Sequence, residues 1–220
     1  TYFSDDSDFD VVAYTVDATY RHRTTFHGLP VVPYDALGDH YEPAEVAMFV
    51  AAGYGDNNRT RERLIARARR DGWSLARYVA SRAGVWDATV GENCMVIDGT
   101  VLQPGARVGT GTILWSNSVV GARATVGACC YIGPVAVIGA DVALDDRCVV
   151  GPLAHVASRL RVGDTCFIGA SAHVQDDLAP GSLLLEPGTK ILPYRTGALP
   201  PLLRARLYQG DVGTGGGRDR

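Results

Sequence analysis

Residues 90–179 read VGENCM VIDGTV LQPGAR VGTGTI LWSNSV VGARAT VGACCY IGPVAV IGADVA LDDRCV VGPLAH VASRLR VGDTCF IGASAH VQDDLA. Each of these fifteen six-residue blocks opens with Val, Ile or Leu. With those residues at roughly a fifth of positions, chance would give such a run with a frequency on the order of 10⁻¹⁰. The second residue is Gly in nine blocks (91, 109, 121, 127, 133, 139, 151, 163 and 169). Gly there lets the chain turn with φ > 0 at no Cβ cost. The fifth residue is usually small, as at Cys94, Thr100, Ala106, Thr112, Ser118, Ala124, Cys130 and Ala136. A short repeat of this kind is the signature of a solenoid, which buries its core by stacking neighbouring coils and needs caps at its ends.

The pattern resembles the hexapeptide-repeat family, in which three hexapeptides form one triangular coil. The resemblance implies a left-handed parallel β-helix of five coils, with residues one coil apart stacked at about 4.8 Å. Cys94, Cys130, Cys148 and Cys166 then share one inward column, with Thr112 in its gap. They read as a ladder of small interior side chains rather than a metal site, which needs thiolates with outer-shell partners. Cys129, one residue off the column, is expected to be exposed. Pro180, Gly181 and Pro187 mark the end of the repeat. Residues 199–207 are expected to form a short capping helix, and 213–220 a disordered tail.

Outside the repeat, composition mainly excludes. The chain has 220 residues, 46% of them hydrophobic and 20% charged, with net charge −3 and pI about 5.9. No global field draws it to nucleic acid or anionic lipid. No apolar run is long enough for a membrane span, and no basic-then-apolar start suggests a signal peptide. Five cysteines are an odd number for a disulfide framework. The expectation is a cytoplasmic protein without nucleic-acid or membrane partners.

Residues 1–83 follow a different pattern and are expected to form a small α/β domain with a parallel, Rossmann-like sheet. Strands are expected at 9–15, 46–52 and 73–79, with an edge strand in Gly28-Leu29-Pro30-Val31-Val32-Pro33. Asp56 or Asn57 is expected to cap a helix over 58–70. Gly53, Gly55 and Asn58 sit where a Gly-rich turn meets a helix N-terminus, a common place for ligands on such sheets. The domain order is then 1–83, a β-helix over 84–192, and a C-terminal cap and tail over 193–220.

Four stretches carry a closer resemblance, to sugar acyltransferases of the sialic-acid O-acetyltransferase type, which include the bacillosamine and perosamine N-acetyltransferases. They are D-F-D-V-V-A-Y-T-V-D, G-L-P-V-V-P, N-N-R-T-R-E-R-L and A-S-R-A-G-V-W. The resemblance places a strand and a Gly-rich turn ahead of Thr1, so the chain opens as if one βα unit late. It implies an acyl-CoA co-substrate such as acetyl-CoA, a sugar or nucleotide-sugar acceptor, a homotrimer, and no metal. Asp17, Gly53, Asn58 and Trp115 become substrate-binding candidates. Asp17 and Asn58 read equally as a strand-end turn residue and a helix cap.

The same resemblance exposes a gap. Relatives carry a catalytic His in I-G-H-H-S, after I-L-W-S. Here Ile113-Leu114-Trp115-Ser116 leads to Val120-Gly121-Ala122-Arg123-Ala124, with Ala122 at the place of the base. A second His of relatives, in S-S-H-V-V-I, is absent from Gly133-Pro134-Val135-Ala136-Val137-Ile138. Relatives read I-G-A-G-A on the coil that contacts coenzyme A, against Ile168-Gly169-Ala170-Ser171-Ala172 here, and G-x-P-A against Leu185-Glu186-Pro187-Gly188. Gly151, Gly169, Ser171 and Pro187 are the cofactor-binding candidates.

His155 and His173 lie three hexads, or one full coil, apart. They are expected to stack on one outer face above Val101, Val119 and Val137, an apolar column of the sort that marks an interface. Imidazole suits general-base work near neutral pH. The catalytic candidates are therefore His155 and His173, with Arg123 beside Ala122 and with Asp146 to orient an imidazole, alongside Asp145 and Asp164. The histidines also read as interface residues bonded to backbone. Three functions stay open: an acyltransferase with a relocated base, a repurposed isomerase, lyase or cyclase on the same scaffold, and a non-catalytic binding trimer.

Overall fold

The computed structural model describes residues 1–185. Pro187 and the expected cap and tail over 193–220 lie outside the described residues. The hexad register is realised as a triangular prism, a left-handed parallel β-helix. Its first face stacks Tyr78–Val79, Met95–Val96, Ile113–Leu114, Tyr131–Ile132, Val149–Val150, Phe167–Ile168 and Leu183–Leu184. The second stacks Gly84–Val85, Val101–Leu102, Val119–Val120, Val137–Ile138, His155–Val156 and His173–Val174. The third stacks Thr89–Val90, Arg107–Val108, Thr125–Val126, Ala143–Leu144 and Arg161–Val162. Every pairing in the prism is parallel, and from Val90 onward the partners are three hexads apart until Phe167 pairs with Leu183.

The aliphatic openers point inward. Val96, Leu102, Leu114, Val120, Ile132, Ile138, Val150, Val156 and Ile168 are completely buried. The cysteine column is buried too, and it has a polar logic. Cys94 Sγ donates to the Gly109 carbonyl, Thr112 Oγ1 to Gly127, Cys130 Sγ to Asp145, Cys148 Sγ to Gly163 and Cys166 Sγ to Ala179. Each fifth-position donor thus serves a carbonyl of the next coil, and a hydroxyl and a thiol do the job alike. Burial pushes the Cys94 thiol up to about 11, so it stays protonated and able to donate.

The prism starts earlier than the hexads suggest. Tyr78–Val79 and Gly84–Val85 already pair with the coil above, which moves the start ahead of the expected boundary at 84. Val79 and Val85 are six residues apart, but Val85 and Val90 only five, and that short step hides the first coil from a six-residue count. The expected strand at 73–79 is divided accordingly. Ser74–Leu75 pairs with Ala47–Met48 in the N-terminal segment, while Tyr78–Val79 belongs to the prism.

The N-terminal segment is less regular than one parallel sheet. Tyr14–Val16 pairs in parallel with Leu29–Pro33, which also pairs antiparallel with Thr25–Phe26. Ala47–Met48 and Ser74–Leu75 form a separate pair. The expected strands at 9–15 and 46–52 shrink to these short pieces, because their flanking residues have no ladder partners; Phe9 and Val12 stand exposed. A short helix, Tyr2–Asp6, precedes them, and its Phe3 packs on Tyr78 and Phe49.

The helix Arg59–Arg70 forms as expected, but its N-terminal cap is of another kind. Asp56, Asn57 and Asn58 all take positive φ, and the Asn58 side chain at the cap position caps no backbone amide of the helix start. The turn instead seats the helix start on the edge between the third and first faces of the prism, where Asn57, Asn58 and Arg61 bond its carbonyls. Ile65 packs there with Val50 and Cys129. Cys129, expected to be exposed, is therefore buried. No helix among the described residues is long and apolar enough to cross a membrane.

Candidate functional site

The two imidazoles stack as the register requires. His155 pairs directly with His173 on the second face, with ring centroids 4.7 Å apart, and both side chains are exposed. Below them in the same column lie Val137, Val119, Val101 and Gly84. The Gln175 side-chain nitrogen lies 3.3 Å from Nδ1 of His173 and steadies that ring.

The other catalytic candidates are engaged elsewhere. Arg123 sits at the edge between the second and third faces, where it grips Asp141 of the next coil through two contacts of 2.7 Å. That pairing holds the Asp141 carboxyl below its ordinary range. Asp146 lies at the edge between the third and first faces, and its Oδ1 accepts from the Ala128 amide at 2.7 Å. Asp164 at that edge pairs with Arg147. The expectation that Asp145, Asp146 and Asp164 flank the histidines is corrected: they occupy a different edge, and none of the three hydrogen-bonds an imidazole of the described residues. Ala122 is half-buried, and its amide donates to Gln103 Oε1 at 2.9 Å.

Stacking, and not the expected φ > 0, accounts for the second-position glycines, Gly151 and Gly169 among them: none of the nine takes a positive φ, and the left-handed residue is the fourth of each hexad up to Ser171. A Cβ on Gly151 would lie 2.5 Å from the Ala170 amide nitrogen, and one on Gly169 would lie 3.1 Å from the Leu184 carbonyl oxygen. The missing side chain at Gly151 makes room for the next coil rather than for a cofactor. Gly151→Ala is accordingly expected to lower unfolding stability by about 2 kcal/mol or more, measured in urea without any ligand. A variant as stable as the parent would return Gly151 to the cofactor candidates. Ser171 is exposed in a left-handed conformation (φ 61°), and Pro187 lies outside the described residues.

Of the substrate-binding candidates, Asn58 is corrected. Its side chain is fully buried; Nδ2 donates to the Arg147 and Cys148 carbonyls, and Oδ1 accepts from Arg61 at 2.8 Å. It fastens the segment to the prism and has nothing left for a ligand. Asp17 is paired with Arg67 at 2.6 Å but half open. Gly53 is exposed with open space around it, next to Tyr54. The Tyr54 ring packs on Tyr131 at 4.6 Å, and Tyr131 lies 6.3 Å from Trp115. Trp115 is half-buried, and its indole nitrogen has no partner among the described residues.

Tyr54, Tyr131 and Trp115 thus form an aromatic shelf on the first face, with Gly53 next to Tyr54. His155 and His173 point out from the neighbouring second face. Sequence reasoning misses Tyr54 and Tyr131, although Tyr131 directly follows the expected Cys130 column. A separate cleft of about 480 Å³ lies where the helix start meets the third-to-first edge, lined by Arg59, Arg63 and Arg147 among others. Among the described residues, no three His, Cys, Asp or Glu side chains converge as a metal site.

Comparison with known proteins fits this geometry. The family described as bacterial transferase hexapeptide (six repeats) matches residues 87–122. No curated protein sequence matches the chain significantly. A histidine-to-alanine mutant of GDP-perosamine N-acetyltransferase from Caulobacter crescentus, crystallised with CoA and GDP-perosamine, is 30% identical; the match covers 77% of this chain and 80% of that one, with a TM-score of 0.69. The histidine-to-asparagine mutant of the same enzyme gives 29% identity over the same shares, with a TM-score of 0.69. The acetyltransferase domain of PglB from Neisseria gonorrhoeae FA1090 shares the fold at 24% identity, with a TM-score of 0.68 over 74% of this chain and 79% of that one. By its prism and its identity across most of both chains, this protein belongs to the hexapeptide-repeat sugar acyltransferases, the family of perosamine N-acetyltransferase.

Proposed function

We propose that the protein transfers an acyl group from an acyl-CoA to the amine of a nucleotide-linked sugar. The observation that carries this reading is the 30% identity, over 77% of the chain, to an N-acetyltransferase crystallised with CoA and GDP-perosamine. In the reaction the amine nitrogen attacks the thioester carbonyl carbon. The C–S bond breaks, an amide forms, coenzyme A leaves as the thiol, and the amine gives up one proton. Ala122, at the place of the relatives' base, has no group to accept it. His155 and His173 are the proton acceptors on this reading, with Gln175 orienting the second ring. Their apolar surroundings on the second face favour an uncharged amine, and positioning of the two reactants supplies much of the acceleration.

The aromatic shelf of Tyr54, Tyr131 and Trp115 offers stacking surface to the nucleotide or sugar. Arg123 contributes nothing to the repurposed-enzyme reading, because its guanidinium is already committed to Asp141.

The test is direct. Incubated with acetyl-CoA and GDP-perosamine or other nucleotide-linked amino sugars, the protein is expected to release free thiol in proportion to acceptor. Absence of thiol release together with absence of coenzyme A binding in calorimetry would leave the non-catalytic reading standing.

The second face supports self-association as a homotrimer. Val101, Val119 and Val137 form a half-buried apolar column, with Val85 and Trp86 at its foot, 40% and 63% exposed. Light scattering is expected to give three times the mass of one chain. A monomer would remove the cleft between copies from the proposed site.

A further inference from the structure

The edge between the first and second faces carries an anomaly. At each turn of the prism one edge residue takes a left-handed conformation, which Asn, Asp and Gly tolerate and β-branched or bulky residues resist. On this edge the successive residues are Gly99, Asn117, Val135, Leu153 and Ser171, with φ of 72°, 60°, 60°, 60° and 61°. Val135 and Leu153 are the misfits, one directly above the other. Both are also exposed, Val135 by 46% and Leu153 by 61%.

The two belong to matching corners, Gly133-Pro134-Val135-Ala136 and Gly151-Pro152-Leu153-Ala154. Backbone alone explains neither side chain: the left-handed amides donate to the Ser116 and Pro134 carbonyls of the coil below, as any residue's would. Two strained, water-facing aliphatics stacked in register cost stability twice, through φ and through exposure. A matching apolar ligand would remove the exposure.

The ridge runs into the proposed catalytic face. Leu153 is two residues before His155, and Val135 two before Val137 in the same column. It carries no charged or hydrogen-bonding side chain. A thioester carbonyl held at the imidazoles therefore has apolar surface beside it along the ridge, where the acyl tail would lie. On the transfer reading above, we propose that Pro134, Val135, Pro152 and Leu153 seat the acyl chain of the acyl-CoA and select a chain longer than acetyl.

Calorimetry of the intact protein with acetyl-CoA, butyryl-CoA and hexanoyl-CoA tests this. Affinity is expected to rise along the series, with hexanoyl-CoA about tenfold or more tighter than acetyl-CoA, as burial of a few methylenes implies. Leu153→Asn and Val135→Asn remove the ridge with a residue suited to the left-handed conformation, so the coil is kept, and a thermal melt checks it. Each is expected to bring the hexanoyl-to-acetyl affinity ratio down towards one.

Acetyl-CoA binding with no gain for longer chains overturns the ridge proposal and leaves the transfer reading intact. Binding of no acyl-CoA overturns both. Loss of self-association in Leu153→Asn with the chain-length preference unchanged assigns the ridge to copy–copy contact and also overturns the proposal.

Discussion

Replacing Arg61 with Ala is expected to destabilise the protein by about 3–5 kcal/mol, more than any surface ion pair could account for. Arg61 is fully buried. Nε donates to the Gly111 carbonyl at 2.7 Å, one terminal nitrogen to Ala52 and Gly53 at 3.0 and 2.9 Å, and the other to Cys129, Cys130 and Asn58 Oδ1 at 2.8–2.9 Å. With five N–H groups available, one of these bonds is shared. Among the described residues no carboxylate contacts it; carbonyl dipoles alone offset its charge. Burial pushes its pKa down, the mark of a charge held far from water. Five of the six acceptors are backbone carbonyls, and Ala would leave those that water cannot reach unsatisfied.

Lys would serve fewer acceptors and lacks the planar fork, so Arg61→Lys is expected to recover only part of the loss. The damage should also be local. Coils of a solenoid depend mainly on their neighbours, so the prism should survive while the N-terminal segment loosens. Urea unfolding is expected to split into two steps, and limited proteolysis to reach residues 1–70 first. A single transition within about 1 kcal/mol of the parent would show that Arg61 does not pin the two parts together.

The prism was legible because its period is imposed by the backbone. Each six-residue block returns the chain to an inward position, so aliphatic openers report the register without any tertiary information. The first coil escaped because the single five-residue step from Val85 to Val90 broke the count, although Val79 and Val85 keep the six-residue interval. The N-terminal segment resisted for the opposite reason. Its strands are two to five residues long, and tertiary contacts rather than local pattern hold them.

Arg61 itself could have been found. It lies four residues before Ile65 and seven before Ala68, on the buried stripe of its helix, but the surrounding arginines made the whole run look solvated. Arg123 was similarly readable, because Asp141 is three hexads on and so directly above it in the stack. The histidine pair, the cysteine column and the Val101–Val119–Val137 column follow from that register and stand where it puts them. The aromatic shelf was less accessible: Tyr54 and Tyr131 are far apart in sequence and meet because the Asp56–Asn58 turn seats the helix start on the third-to-first edge, beside the first face.

Substituting both His155 and His173 with Ala is expected to lower kcat for acyl transfer by about 10²–10⁴-fold, equivalent to roughly 3–5 kcal/mol of the barrier. The pair must be changed together. With ring centroids 4.7 Å apart on one exposed face, either imidazole can reach a proton presented between them, so single variants should retain part of the activity. Both rings lie on the surface and neither fills the core, so the melting temperature of the double variant should stay close to the parent's. The KM for acyl-CoA should change little, because a base lost from the transition state lowers kcat without weakening ground-state binding. Added imidazole should restore part of the rate, a response that a merely structural role would not give. If the double variant turns over at the parental rate, the proton leaves by another route and the histidines belong to the contact between copies.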